Sequence, residues 1–371
     1  MIDAKITQRI SATLVSIMIL YGIPSNMNVL TVVETKNMTR LKMMESVYIS
    51  NSAGNLGSIF YSILAAFWIN SSRKSKWFTN LTITTCFSSI ILTTLVAYTT
   101  TYEIQKPQVW ISVMCILVSI MSALVGIMNG IVGDVFVFLN IVHVNIAIVC
   151  NHIGGLIVVI LWAISKDYMI YYSLILLIWL IPMCFVTIAL FGLRKNLVAT
   201  KNTVTLNSAA EDFSTDTMLI IAFFLNSVNK GFEFPLYFIS HEAIMSQITS
   251  SVLLDVLTFH MSNLVGSMVY TVTKTKQSSG SILSLVLVRI FFVCVFTTFN
   301  SWRVCGSDYK KIIHIISTSA LWITCGWLNN CMVSTFKTRP VTFVNVYMYG
   351  LYALGIVTGL QFSMTLEYFR G

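Results

Sequence analysis

The stretch 168–193 reads YMIYYSLILLIWLIPMCFVTIALFGL and holds no charged side chain; Arg194 and Lys195 close it. A helix needs about 20 apolar residues to cross a bilayer. The segment therefore predicts a membrane-spanning helix, and the rest of the chain repeats the pattern. Of 371 residues, 56% are hydrophobic and only 10% are charged. A soluble domain averages about 25% charged residues, so the composition predicts an integral membrane protein. The formal net charge of +9 does not indicate nucleic acid, because the basic residues sit in short clusters between apolar runs. That distribution suits loops at an anionic membrane surface.

Working outward from this stretch gives eleven expected spans: 10–32, 44–69, 78–100, 109–138, 141–164, 168–193, 216–240, 248–273, 281–302, 311–335 and 341–366. The first is read as a retained helix, not a cleaved signal. The fourth is long, and either a tilt or a break near Gly126, Gly130 and Gly133 would account for its length. Most connections are short, except the polar segment 194–215, which is expected to be a mobile cytoplasmic linker. It divides an N-terminal six-helix bundle (1–193) from a C-terminal five-helix bundle (216–371). The expected fold is all-α: a polytopic membrane protein in a 6+5, two-bundle, major-facilitator-like transporter arrangement.

With a cytoplasmic N-terminus, twelve loop and terminal Lys and Arg residues lie on the inner side and nine on the outer. The positive-inside rule favours that orientation, with an extracytoplasmic C-terminus. The plasma membrane is the expected location. Asn37 begins a possible glycosylation triplet, but similar triplets at Asn70 and Asn80 fall near the inner side. Of the eight cysteines, only Cys305 lies in an expected loop; no metal spacing or disulfide framework emerges.

Polar side chains at membrane depth are costly, so each is a functional candidate. In the seventh span Asn226, Asn229, Lys230 and Glu233 have offsets of zero, three, four and seven and share one helical face. Lys230 and Glu233 are expected to neutralise each other along a cavity wall, or else to form a structural ion pair between helices. Pro235 should bend this helix. In the fourth span Gly126 and Gly130 permit close helix approach, and Asn129 between them is a cavity candidate. The fifth carries Asn151 and His152 ahead of Gly154 and Gly155. Arg289 sits mid-span with no charge near it in sequence, so its guanidinium needs a partner on another helix or a ligand. In the eighth, LTFHMSNLVGS (257–267) places His260, Asn263 and Ser267 on one face beside Gly266. Lipid gains nothing from such a face, so something polar should meet it.

No catalytic set emerges: no nucleophile stands beside a base, and no phosphate loop or metal spacing is present. The chain is not expected to be an enzyme, to hold a metal or to use a cofactor. An energy-coupling ATPase domain is also absent.

Several of these segments together resemble the equilibrative nucleoside transporter family. LVLVRIFFVCVFTTFN (285–300) looks like its arginine-bearing ninth helix, with Arg289 at the arginine. CGWLNNCM (325–332) is similar to its Asn-Gly-Tyr-Leu motif. Gly355, Gly359 and Ser363 match its eleventh-helix rhythm, Asn129-Gly130 its Gln-Gly, Gly155 its helix-five glycine, and Phe234-Pro235 its Phe-Pro. Their shared order along most of the chain carries the resemblance.

FHMSNLVGS (259–267) then resembles the signature Phe-Asn-x-x-Asp-x-x-Gly-Arg, whose Asp and Arg contact the ribose region of the substrate in relatives. Phe259 and Gly266 keep the pattern, whereas Asn263, Ser267 and His260 replace the Asp, the Arg and the preceding Asn. Losing both charges leaves no orphan. Lys230 and Glu233 are expected to have taken over part of the polar work.

The resemblance implies a nucleoside or nucleobase carrier working by alternating access in the lipid bilayer. Asn129, Phe259, His260, Asn263 and Ser267 would contact substrate, with Lys230, Glu233 and Arg289 as contacts or gates; Asn151, His152 and Asn226 are secondary candidates. Proton coupling through Glu233, His152 or His260 is left open. Other readings are a carrier for a different polar solute, a membrane receptor that binds without moving its ligand, and a lipid-modifying enzyme.

Overall fold

The computed structural model describes residues 4–33, 40–67, 73–101, 107–138, 144–165, 168–199, 217–233, 248–273, 277–301, 308–336 and 351–370. These form eleven helices and no strand: α1 (Ala4–Val33), α2 (Arg40–Phe67), α3 (Arg73–Thr101), α4 (Pro107–Phe138), α5 (Val144–Ser165), α6 (Tyr168–Ala199), α7 (Thr217–Phe232), α8 (Ile248–Thr273), α9 (Ser279–Ser301), α10 (Asp308–Phe336) and α11 (Tyr352–Arg370). Each of the eleven expected spans overlaps one of these helices. Of the two readings of the long fourth span, a break does not occur; the helix runs unbroken through its glycines. Gly126 serves packing instead: an added Cβ would run into the Gly54 backbone of α2, and Ser58 Oγ donates to the Gly126 carbonyl at 3.1 Å. Helix α6 extends six residues past the expected end at 193, so the linker's start is helical. The rest of the linker, Pro235 and Cys305 lie outside the described residues.

The helix contacts repeat with a shift of six. The pairs α1/α5, α2/α4, α3/α4 and α1/α4 recur as α7/α11, α8/α10, α9/α10 and α7/α10. Under the same shift α2/α11 maps onto α8/α5, and both of these pairs touch. They join the first six helices to the last five. At α2/α11, Tyr48 Oη donates to Gln361 Oε1 at 2.6 Å and Tyr368 Oη donates to the Glu45 carboxylate.

Polarity is arranged for a lipid surround. Large apolar side chains point outward, including Phe185 (69% exposed), Ile188 (68%) and Phe291 (64%). Arg289, Glu233, His152, His260, Asn226 and Asn263 are buried. A soluble protein does the reverse. The chain is an integral membrane protein.

The interior of the first six helices shows how such a bundle handles proline. Pro24 lies inside α1 and has no N–H, so the Leu20 carbonyl loses its usual helical donor. Trp179 of α6 fills the gap: its Nε1–H donates to that carbonyl at 3.0 Å. The Trp179 ring also meets Tyr21 edge-on at 5.9 Å, and Tyr21 Oη donates to Ser88 of α3 at 3.1 Å.

Candidate functional site

Helix α7 ends at Phe232, and the Glu233 amide donates back to the Asn229 carbonyl at 3.0 Å. The expected span runs to 240, and its residues 234–240, Pro235 among them, lie outside the described residues. Asn226, Asn229 and Glu233 are buried here, and Lys230 is half-buried.

The expected Lys230–Glu233 neutralisation is not the pairing that forms. The Glu233 carboxylate accepts from Arg289 Nη2 of α9 in a buried ion pair. Arg289 Nη1 donates to Asn226 Oδ1 at 3.4 Å, and its Nε to the Leu321 carbonyl of α10 at 3.4 Å. Asn226 Nδ2 in turn donates to Asn329 Oδ1 at 2.8 Å. The reason for the exchange is angular. Lys230 lies on the flank of α7 that turns towards α11, where Nζ donates to Tyr352 Oη at 2.6 Å and stands 5.4 Å from the ring centre. Of the two readings of Arg289, a partner on another helix or a ligand, the structure supplies the first.

Close backbone approach brings α11 to α7. A Cβ added at Gly359 would collide with the Val228 carbonyl, and one at Gly231 with the Ile356 carbonyl. These glycines are the reason a lysine stem on α7 reaches a tyrosine on α11 directly.

The polar face of α8 is met from two sides. Ser267 Oγ donates to the Asn263 carbonyl at 2.9 Å and accepts from Asn330 Nδ2 of α10 at 2.9 Å. Asn263 Nδ2 bonds the Phe259 carbonyl of its own helix at 2.9 Å, while its buried Oδ1 has no hydrogen-bond partner. His260 turns to α5, where His152 Nδ1 lies 3.0 Å from His260 Nδ1. One of these nitrogens carries the proton and the other accepts it. Phe259 meets His152 and Trp322 edge-on, with centroids at 5.2 and 5.3 Å. The His260 ring rests on Gly155, where any Cβ would collide with it.

The structure thus brings together Asn226, Glu233 and Arg289, and, joined to them through Trp322, Phe259, His260 and His152, with Asn263 and Ser267 a turn further along α8. Asn129 is half-buried on α4 and is not a member of these networks. Asn151 sits against α1, its carbonyl 3.3 Å from Asn26 Nδ2. Tyr352, Asn329 and Asn330 were not among the expected site residues. Asn329 and Asn330 stand in CGWLNNCM, where two amides at membrane depth are signal enough. Among the described residues, no three His, Cys, Asp or Glu side chains gather as metal ligands.

No family model and no curated protein matches the chain. Among solved structures, it is similar to the crystal structure of a D-xylose-proton symporter. The TM-score is 0.55 at 13% identity, over 98% of this chain and 88% of that one. The match bears out the fold class: eleven described helices in an all-α, 6+5 transporter-type arrangement.

Proposed function

We propose that the chain is a membrane carrier that works by alternating access, with nucleosides or nucleobases as cargo. The observation that carries the reading is the buried Glu233–Arg289 pair with its amide neighbours, inside a fold shared with a symporter. Charges at membrane depth are costly and mark solute or ion pathways. The cargo class rests on the resemblance to equilibrative nucleoside transporters. In relatives the carboxylate and guanidinium of helix eight meet the substrate; here a carboxylate and a guanidinium meet between α7 and α9 instead, and Asn263 and Ser267 are neutral. The two halves would rock about the α2/α11 and α5/α8 contacts. In this reading the N-terminus is cytoplasmic and the protein sits in the plasma membrane.

An uptake panel tests the cargo. Proteoliposomes holding the purified chain should accumulate labelled adenosine, uridine or hypoxanthine above protein-free vesicles. Uptake of none of them, with another polar solute carried, would remove the nucleoside assignment and leave the carrier.

A further inference from the structure

We propose that the solute bound by this chain carries a single negative charge, and that the Lys230 ammonium receives it. The inference rests on the carrier reading and names the charge of its cargo.

It follows from how charge is matched in the interior. Among the described residues, Lys230, Glu233 and Arg289 meet in the last five helices, giving two cations and one carboxylate. The Glu233 carboxylate is engaged by Arg289. Lys230 Nζ has three N–H donors, and its hydrogen-bond partner is the Tyr352 hydroxyl, a neutral phenol, at 2.6 Å. The Tyr352 ring face adds only a weak attraction for a cation. His152 and His260 provide no negative charge in any protonation state. Among the described residues, two cations therefore share the one Glu233 carboxylate, which leaves an excess of one positive charge.

A second observation, independent of charge, points the same way. Asn229, next to Lys230, is 3% exposed, and its Nδ2 has no hydrogen-bond partner. A buried amide donor without an acceptor is costly and rare in a native structure. An anionic oxygen supplies a second negative charge beside the two cations and a lone pair for the Asn229 N–H donor. Charge-assisted hydrogen bonds are the strong ones. Two chemistries offer such a group on a flat polar ring, a ring-borne carboxylate and an ionised ring oxygen.

The test is competitive binding to the full-length chain in detergent at neutral pH. Orotate carries the carboxylate and urate the ionised ring; uracil and hypoxanthine are their neutral counterparts. At least one anion should bind about ten-fold or more tightly than its counterpart, and which one does so identifies the source of the charge. The preference should fall towards one in Lys230→Gln and persist in Lys230→Arg, with both variants checked for monodispersity. Equal or tighter binding of the neutral rings, no binding by either anion, or a preference that survives Lys230→Gln would overturn the inference. The wild-type ratio needs no variant and decides alone if it is near one. Counterflow in proteoliposomes separates the two claims. Exchange of hypoxanthine without anion preference keeps the carrier and removes this inference; anion-selective binding without exchange does the reverse.

Discussion

The guanidinium of Arg289, in the middle of α9, donates to the carboxylate of Glu233, at the end of α7, and both side chains are buried. Neither has a hydrogen-bonded countercharge on its own helix. Lys230 lies one turn before Glu233 but bonds Tyr352 of α11. A pair of this kind holds two helices at a fixed register, since each charge is tolerable in the interior only beside the other.

Breaking the pair should therefore cost more than deleting it. Glu233→Gln or Arg289→Met alone leaves one buried charge orphaned and should lose about 3–5 kcal/mol of stability. The double variant Glu233→Gln with Arg289→Met should lose clearly less than the two singles summed. Thermal unfolding in detergent, arranged as a double-mutant cycle, measures this. Simple additivity would mean that the two groups do not act as a pair.

Gly155 should tolerate no side chain while His260 stays in place. The first atom of any side chain there collides with the imidazole, and overpacking typically costs about 1–3 kcal/mol. Gly155→Ala should lower the melting temperature, and His260→Ala in the same chain should recover part of the loss. If the second change adds its own full cost with no recovery, the packing of α5 on α8 differs from that described.

The Trp179–Leu20 hydrogen bond should matter only because Pro24 is present. Trp179→Phe leaves the Leu20 carbonyl without a donor, which should cost about 1–3 kcal/mol. In a Pro24→Ala background, residue 24 regains an N–H for that carbonyl, and the same substitution should cost less. An equal cost in both backgrounds would show that Trp179 contributes by packing alone.

Much of this fold was legible in the sequence, for a physical reason. A bilayer demands long apolar helices, and hydropathy marks them; the eighth span, 248–273, was placed to the residue. The site was legible as a set of polar residues and illegible as pairings. That Arg289 needs a partner follows from its position; that the partner is Glu233, 56 residues away, depends on how α7 rotates against α9. Local spacing favoured Lys230 with Glu233, since residues three apart on a helix are neighbours, but a tyrosine on α11 and an arginine on α9 competed for the same groups and won. The pairing of His152 with His260 is hidden in the same way, because the two are 108 residues apart. Asn263 was identified as buried and polar, yet its amide N–H is spent on its own helix.

The central claim is that solute crosses the membrane through one site exposed alternately to each side, and counterflow tests it most directly. Proteoliposomes containing the purified chain are loaded with unlabelled hypoxanthine, adenosine or orotate and diluted into a trace of the same labelled solute. A carrier predicts transient uphill accumulation of label that depends on the internal load. Saturable binding with no load-dependent accumulation, for every solute that binds, would contradict it.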